Sequence, residues 1–130
     1  MQRNVVNPWP WQDAFGFVQA NVVEGGQRVV YCAGQASVSA DGQPLHMGDL
    51  AAQINQCFDN LETVLRAANM SLSQVVRLTY YTTDLDGLLA NWNVILERLK
   101  QGQCQPASSV LGVTRLAFDL AIEIEATAVE

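Results

Sequence analysis

The chain has 130 residues, 49% of them hydrophobic and 15% charged, with a formal net charge of −6. That length fits one domain able to bury a core without disulfides or metal, and the composition excludes a disordered chain. Seven scattered Lys and Arg against thirteen Asp and Glu give a surface that repels phosphate backbones, so no nucleic-acid partner is expected.

Residues 1–14 read as an extended N-terminal arm, because the prolines of Asn7-Pro8-Trp9-Pro10-Trp11 bias their predecessors away from helix. Phe15 to Ala20 reads as a first strand, Glu24-Gly25-Gly26-Gln27 as a turn and Arg28 to Ala33 as a second strand, together a hairpin. Gly34-Gln35 interrupts that strand, Ser37 to Ser39 extends it, and Asp41-Gly42 is a turn signal. From Leu50 to Ala68 apolar residues recur at Leu50, Ile54, Cys57, Phe58, Leu61, Val64 and Leu65, the stripe of an amphipathic helix. Asp49 is its candidate N-cap and Asn69 a left-handed stop. Gln74 to Thr83, rich in Val, Thr and Tyr, reads as a strand. A second helix starts at Asp84 or Asp86 and runs to about Lys100, ended by Gly102. Ala107 to Val113 and Ala121 to Val129 are the last strands, the latter alternating Ile122, Ile124, Ala126 and Ala128 with Glu123, Glu125, Thr127 and Val129.

The order β-β-α-β-α-β-β is that of an α+β domain: one mixed sheet with two helices on one face, spanning residues 1–130. Two helices cover one side only, yet the strand around Tyr31 is apolar on both. Self-association over the second face is therefore expected. No apolar stretch approaches the roughly 20 residues of a membrane span. The N-terminus lacks a basic region followed by an apolar run, so the expectation is a cytoplasmic protein without a membrane partner. Cys32, Cys57 and Cys104 have no metal-ligand spacing and read as reduced, buried thiols. His46, the single histidine, falls in a loop, which argues against a Ser-His-Asp triad and against a metal; no cofactor is expected.

Four stretches carry a family resemblance: Gly16-Phe17-Val18-Gln19-Ala20, Tyr31-Cys32-Ala33-Gly34-Gln35, the helix run Gln53 to Leu61, and Pro106-Ala107-Ser108-Ser109 followed by Ile122-Glu123-Ile124-Glu125-Ala126. In that order, and without a large insertion, they resemble the Rid (YjgF-type) family, also called L-PSP endoribonucleases. The resemblance implies a chorismate-mutase-like fold, a homotrimer whose sheets line a central barrel, and small-molecule clefts between subunits. The activity it implies is hydrolysis of reactive imines or enamines, such as 2-aminoacrylate, to a keto acid and ammonia. It assigns the catalytic role with water to Glu123, and it draws Phe17, Gly34, Gln35, Trp92, Ser108, Ser109 and Val110 to the ligand cleft.

One departure matters. Deaminating members read Pro-Ala-Arg where this chain has Pro106-Ala107-Ser108, and that arginine grips a substrate carboxylate with a bidentate fork. A serine hydroxyl offers one donor and no charge. Arg115 lies an odd number of residues from Ser108, which on an unbent strand puts it on the opposite face, while Arg77 and Arg28 lie on other strands. Trp92 stands where many members carry a small amide residue; it either reshapes the pocket or packs on the helix stripe. Trp9 and Trp11 line the cleft or staple the arm, with the staple expected. Gly34 permits close backbone approach or a bulge, and Gln35 either bonds across strands or meets ligand. Three functions compete: an imine hydrolase working without the arginine, a non-catalytic metabolite sensor, and RNA cleavage, against which the charge of −6 counts.

Overall fold

The computed structural model describes residues 1–130. In chain order it contains β1 (Gln2–Val6), β2 (Ala20–Glu24), β3 (Val29–Ala36), α1 (Leu50–Ala67), β4 (Val75–Thr82), α2 (Leu85–Ala90), α3 (Trp92–Gln101), β5 (Ala107–Gly112) and β6 (Ile122–Val129). The main sheet has the order β3-β6-β4-β5. β6 pairs antiparallel with both β3 and β4, and β4 pairs parallel with β5 across the α2–α3 crossover. The α+β architecture expected from the residue pattern is therefore the one observed, a mixed sheet with its helices on one face.

The core forms where α1 meets that sheet. Ile54, Cys57, Phe58, Leu61 and Leu65 of the α1 stripe are fully buried against Leu78 and Tyr80 of β4 and Ile122, Ile124 and Ala128 of β6. Each such side chain contributes about 1.5–3 kcal/mol by leaving water. α3 adds Ile95 and Leu99. Asp49 caps α1 by accepting from the Ala52 N–H at 3.1 Å, and Asn69 adopts the left-handed φ of 59° just past the helix end.

Five local expectations are revised. Phe15 to Ala20 is not a strand: Trp11–Phe15 is a 3₁₀ turn closed by Gly16 at φ 76°, and β2 starts only at Ala20 and runs through Glu24. The hairpin between the first two strands does not form, because β2 pairs with β1, inside the arm read as extended, while β3 pairs with β6. The Gly25-Gly26 turn delivers the chain from one sheet to the other. A Cβ on Gly26 would stand 2.6 Å from a methyl of Val129, so that turn lies flat on the end of β6. The second helix is two, broken at Asn91, whose side-chain amide donates back to the Gly87 carbonyl at 2.8 Å and offers the backbone an alternative to a continuing helix. Gly102 follows α3 at φ −83°; the left-handed residue is Gln103 at φ 51°, and the lack of a side chain at Gly102 serves close packing, since a Cβ there would lie 2.7 Å from Leu72. Ser37 to Ser39 does not extend β3, although Val38 makes an isolated bridge to Pro44 and Gly42 turns at φ 80°.

The α1 motif Gln53 to Leu61 is structural in its polar members. Gln53, 2% exposed, donates to the His46 carbonyl (3.0 Å) and accepts from the Ala121 N–H (2.8 Å). Asn60 donates to the carbonyls of Ala36 and Val38, both at 2.9 Å. These amides tie the loop after β3, and the start of β6, to the helix. Gln53→Ala leaves the Ala121 N–H without its partner, while the His46 carbonyl keeps the Asp49 N–H, and should cost about 1–3 kcal/mol, against about 1 kcal/mol for the cap variant Asp49→Ala. Urea unfolding midpoints at unchanged slope check both values; equal costs would mean that water replaces Gln53 without penalty.

Candidate functional site

Register decides which residues share a face. Leu78 pairs with Ser108 and Tyr80 with Val110, so Ser108 and Val110 point to the helix side of the sheet. Tyr81 pairs with Glu123, and Thr79 with both Glu125 and Ser109, so these groups share the opposite face, which carries no helix.

On the helix-free face the pairing of β3 with β6 slips between Cys32 and Gln35, so Ala33 and Gly34 together oppose Glu125 in a bulge. Glu123 lies over that bulge: a Cβ on Gly34 would stand 2.6 Å from its carboxyl carbon. Gly34 is thus the residue that gives the Glu123 carboxylate its place. Beside it, the Tyr81 hydroxyl donates to Glu125 Oε1. That hydrogen bond, reinforced by burial and by the nearby Glu125 and Glu123 charges, raises the Tyr81 pKa above its ordinary value, with Arg77 opposing. Arg77 donates to Ser109 Oγ at 2.8 Å and forms no ion pair. A depression of ≈250 Å³, lined by Tyr31, Arg77, Thr79, Glu125 and Thr127 among others, opens on this face. Tyr31 is 81% exposed there, and Val29 and Leu111 are also exposed.

On the helix side, Trp92 packs edge-on against Tyr80, ring centroids 5.3 Å apart, and its indole N–H donates to the Phe15 carbonyl at 3.0 Å. It joins the core to the N-terminal segment. Phe17 meets Trp11 edge-to-face at 5.7 Å and lines a groove with Leu96 and Leu99 of α3. The Gln35 amide donates to the Ala33 carbonyl of its own strand at 3.1 Å, not across strands.

The eight residues singled out in the sequence therefore fall into two groups separated by the sheet. Phe17, Trp92, Ser108 and Val110 lie on the helix side; Gly34, Ser109 and Glu123 lie on the other; Gln35 pairs with core-facing Ile124 past the bulge. One chain does not bring Ser108 and Glu123 together. No spare arginine stands beside Ser108 either: β5 ends at Gly112, Arg115 lies beyond it bound to Asp119 at 2.9 Å, Arg28 pairs with Glu130, and Arg77 is on the opposite face. The Tyr81–Glu125 and Arg77–Ser109 contacts escaped sequence reasoning. Strand parity puts Arg77, Thr79 and Tyr81 on one face, but their partners depend on the β4–β6 and β4–β5 registers.

The thiols are buried, and burial pushes Cys57 and Cys104 up to about 12, so both are protonated at neutral pH. No group of three or more His, Cys, Asp or Glu is arranged to hold a metal, and no helix is long and apolar enough to cross a membrane.

A mixed sheet, helices on one face and a carboxylate seated in a bulge on the other define a class of small α+β proteins with a polar sheet face. The sequence profile described as Endoribonuclease L-PSP matches residues 12–130. The chain belongs to this family, the Rid or YjgF-type proteins. Its fold matches the crystal structure of the Rid-family protein YyfB from Yersinia pestis with a TM-score of 0.88, 36% identity and full coverage of both chains. It is 33% identical to protein DfrA of Myxococcus xanthus over 130 residues, 99% of this chain and 97% of that one. It is also 36% identical over 83 residues to the 2-iminobutanoate/2-iminopropanoate deaminase of Escherichia coli, 62% of this chain and 64% of that one.

The Tyr81 contact has a measurable consequence. Glu125→Gln removes the acceptor charge and should bring the Tyr81 titration down toward the ordinary tyrosine value, by ultraviolet difference titration against the parent, with Tyr81→Phe identifying that phenol because burial raises Tyr80 as well. An unchanged titration curve would show that the Tyr81–Glu125 bond does not persist in solution.

Proposed function

We propose that this protein is a small-molecule cleft enzyme that hydrolyses reactive imines or enamines, and that its cleft is assembled between copies in a homotrimer. The observation that carries this reading is the separation of Ser108 from Glu123 by the sheet of their own chain. A site using both needs the helix-side edge of one copy and the open face of the next. The exposed Tyr31, Val29 and Leu111 supply an apolar surface for that contact.

In this cleft Glu123 is the general base. It takes a proton from water as the oxygen bonds to the imine carbon and the C=N bond becomes C–N. It passes that proton to nitrogen, completing the carbinolamine, and on collapse relays the hydroxyl proton to nitrogen as well, so that C–N breaks, C=O forms and ammonia leaves. Backbone groups near Ser108 and Val110 polarise the substrate, with Phe17 and Trp92 as aromatic walls and Gly34, Gln35 and Ser109 lining the rest. Ser108 provides no positive charge, which favours imines without a carboxylate over 2-aminoacrylate.

Ammonia and carbonyl formation from imines generated in situ by amine and amino-acid oxidases checks the chemistry. The parent should turn over uncharged imines, Glu123→Ala should lower that rate by about 10²–10⁴-fold, and Ser108→Arg should shift preference toward carboxylated imines. Activity only in Ser108→Arg would replace the enzyme by a non-catalytic metabolite binder, and silence from all three proteins would end the imine reading. Sedimentation equilibrium checks the assembly. The parent should sediment as a trimer and Tyr31→Glu as a folded monomer; a monomeric parent would leave Ser108 and Glu123 without a common site.

A further inference from the structure

A second site lies away from the sheet's open face. Between the segment Asp13 to Val18 and α3 runs a groove of ≈660 Å³, within the size range of small-molecule sites. Its apolar wall comes from Phe17, Val18, Leu96 and Leu99. Gly16 lets the two walls approach at one end, since a Cβ there would meet Leu96 at 2.7 Å and Leu99 at 3.2 Å. Cys104 adds a buried thiol that burial holds protonated, so it serves as apolar surface and not as a nucleophile. Of the residues assigned to the imine cleft, the groove shares only Phe17.

Two opposite charges line this groove and leave each other alone. Asp13 and Lys100 both border it, both are exposed, and neither belongs to any ion pair in the chain. Asp13 accepts only a 3.3 Å contact from its neighbour Gln12, and the Lys100 ammonium has no hydrogen-bond partner. A cation and an anion on one apolar groove, not paired with each other, match a ligand that carries both charges on an apolar body. We infer that the groove binds a zwitterionic α-amino acid with an apolar side chain: its ammonium meets Asp13, its carboxylate meets Lys100, and its side chain lies on Phe17, Leu96 and Leu99. A carboxylic acid or an amine alone satisfies one charge and leaves the other without a partner.

Titration calorimetry on the full chain tests this with L-phenylalanine and L-leucine, against 3-phenylpropanoate, 2-phenylethylamine and glycine. Both amino acids should bind, each single-charge analogue should bind roughly tenfold more weakly, the scale of one charged hydrogen bond, and glycine should give no heat. Lys100→Gln should weaken L-phenylalanine by about tenfold while sparing 2-phenylethylamine, and Asp13→Asn should do the converse, sparing 3-phenylpropanoate. Leu96→Trp, which fills the groove, should abolish binding with a normal unfolding curve. The inference is overturned by no binding of either amino acid at millimolar concentration. Equal affinity for an amino acid and a single-charge analogue also overturns it. So does binding lost in Glu123→Ala but kept in Lys100→Gln, which would put the ligand in the other cleft and leave the imine reading untouched.

Discussion

Strand β6 is the constraint on which the rest of the molecule depends. It is the only strand of the main sheet paired antiparallel on both sides, and its residues alternate strictly between Ile or Ala and Glu or Thr from Ile122 to Ala128. The apolar set is buried under α1, and the polar set lies on the helix-free face. A slip of one residue against either neighbour would drive Glu123 and Glu125 into the core, at a cost no compensating contact there could offset. The same alternation that forms the core therefore aims the carboxylates, and the stability of the fold and the placement of the site are one decision.

The bulge at Ala33-Gly34 refines that decision. It inserts a residue on β3 opposite Glu125 and leaves a backbone position without a side chain where the Glu123 carboxylate lies. An uninterrupted ladder would have put a Cβ into that space. Because β6 is central, Glu123 is held by neighbours on both strands, while Ser108 sits on edge strand β5 and faces the other way. A chemistry that needs both is thereby made dependent on a second copy.

The parts legible in the sequence were those set by local periodicity and local capping. The α1 stripe, the alternation of β6, the Asp49 cap and the Asn69 stop each depend on residues within a turn or two of one another. The parts not legible depend on long-range backbone partners. β1 carries no strong strand signal, and it is held because Arg3 donates to the carbonyls of Ser73, Val75 and Gln105, and Asn21 of β2 to those of Val76 and Gln105. Burial lowers the Arg3 pKa, which is consistent with a guanidinium spent on structure. No window of sequence shows that these carbonyls converge on one arginine. The break at Asn91 was hidden because the apolar stripe continues through it, from Leu88 to Ile95 and Leu99. The faces of Ser108 and Glu123 became comparable only once β4 supplied a register to both.

The family's signature residues also divide by what they touch. Gln53 is occupied by backbone groups of the chain, and Asn60 by two backbone carbonyls and the Gln56 amide, so similarity at those positions speaks for the fold and not for the reaction. The open face, by contrast, concentrates charge of one sign: Glu123 and Glu125 lie on it with Arg77 as the cation among the β4 residues, and that cation is engaged by Ser109. A cleft that borrows this face acquires two carboxylates, and nothing at Ser108 restores positive charge. Coulomb repulsion in a partly dry cleft and the absence of a guanidinium act in the same direction, against a carboxylated substrate. Two features of the chain, one on each side of its sheet, thus support the proposed narrowing of substrate class.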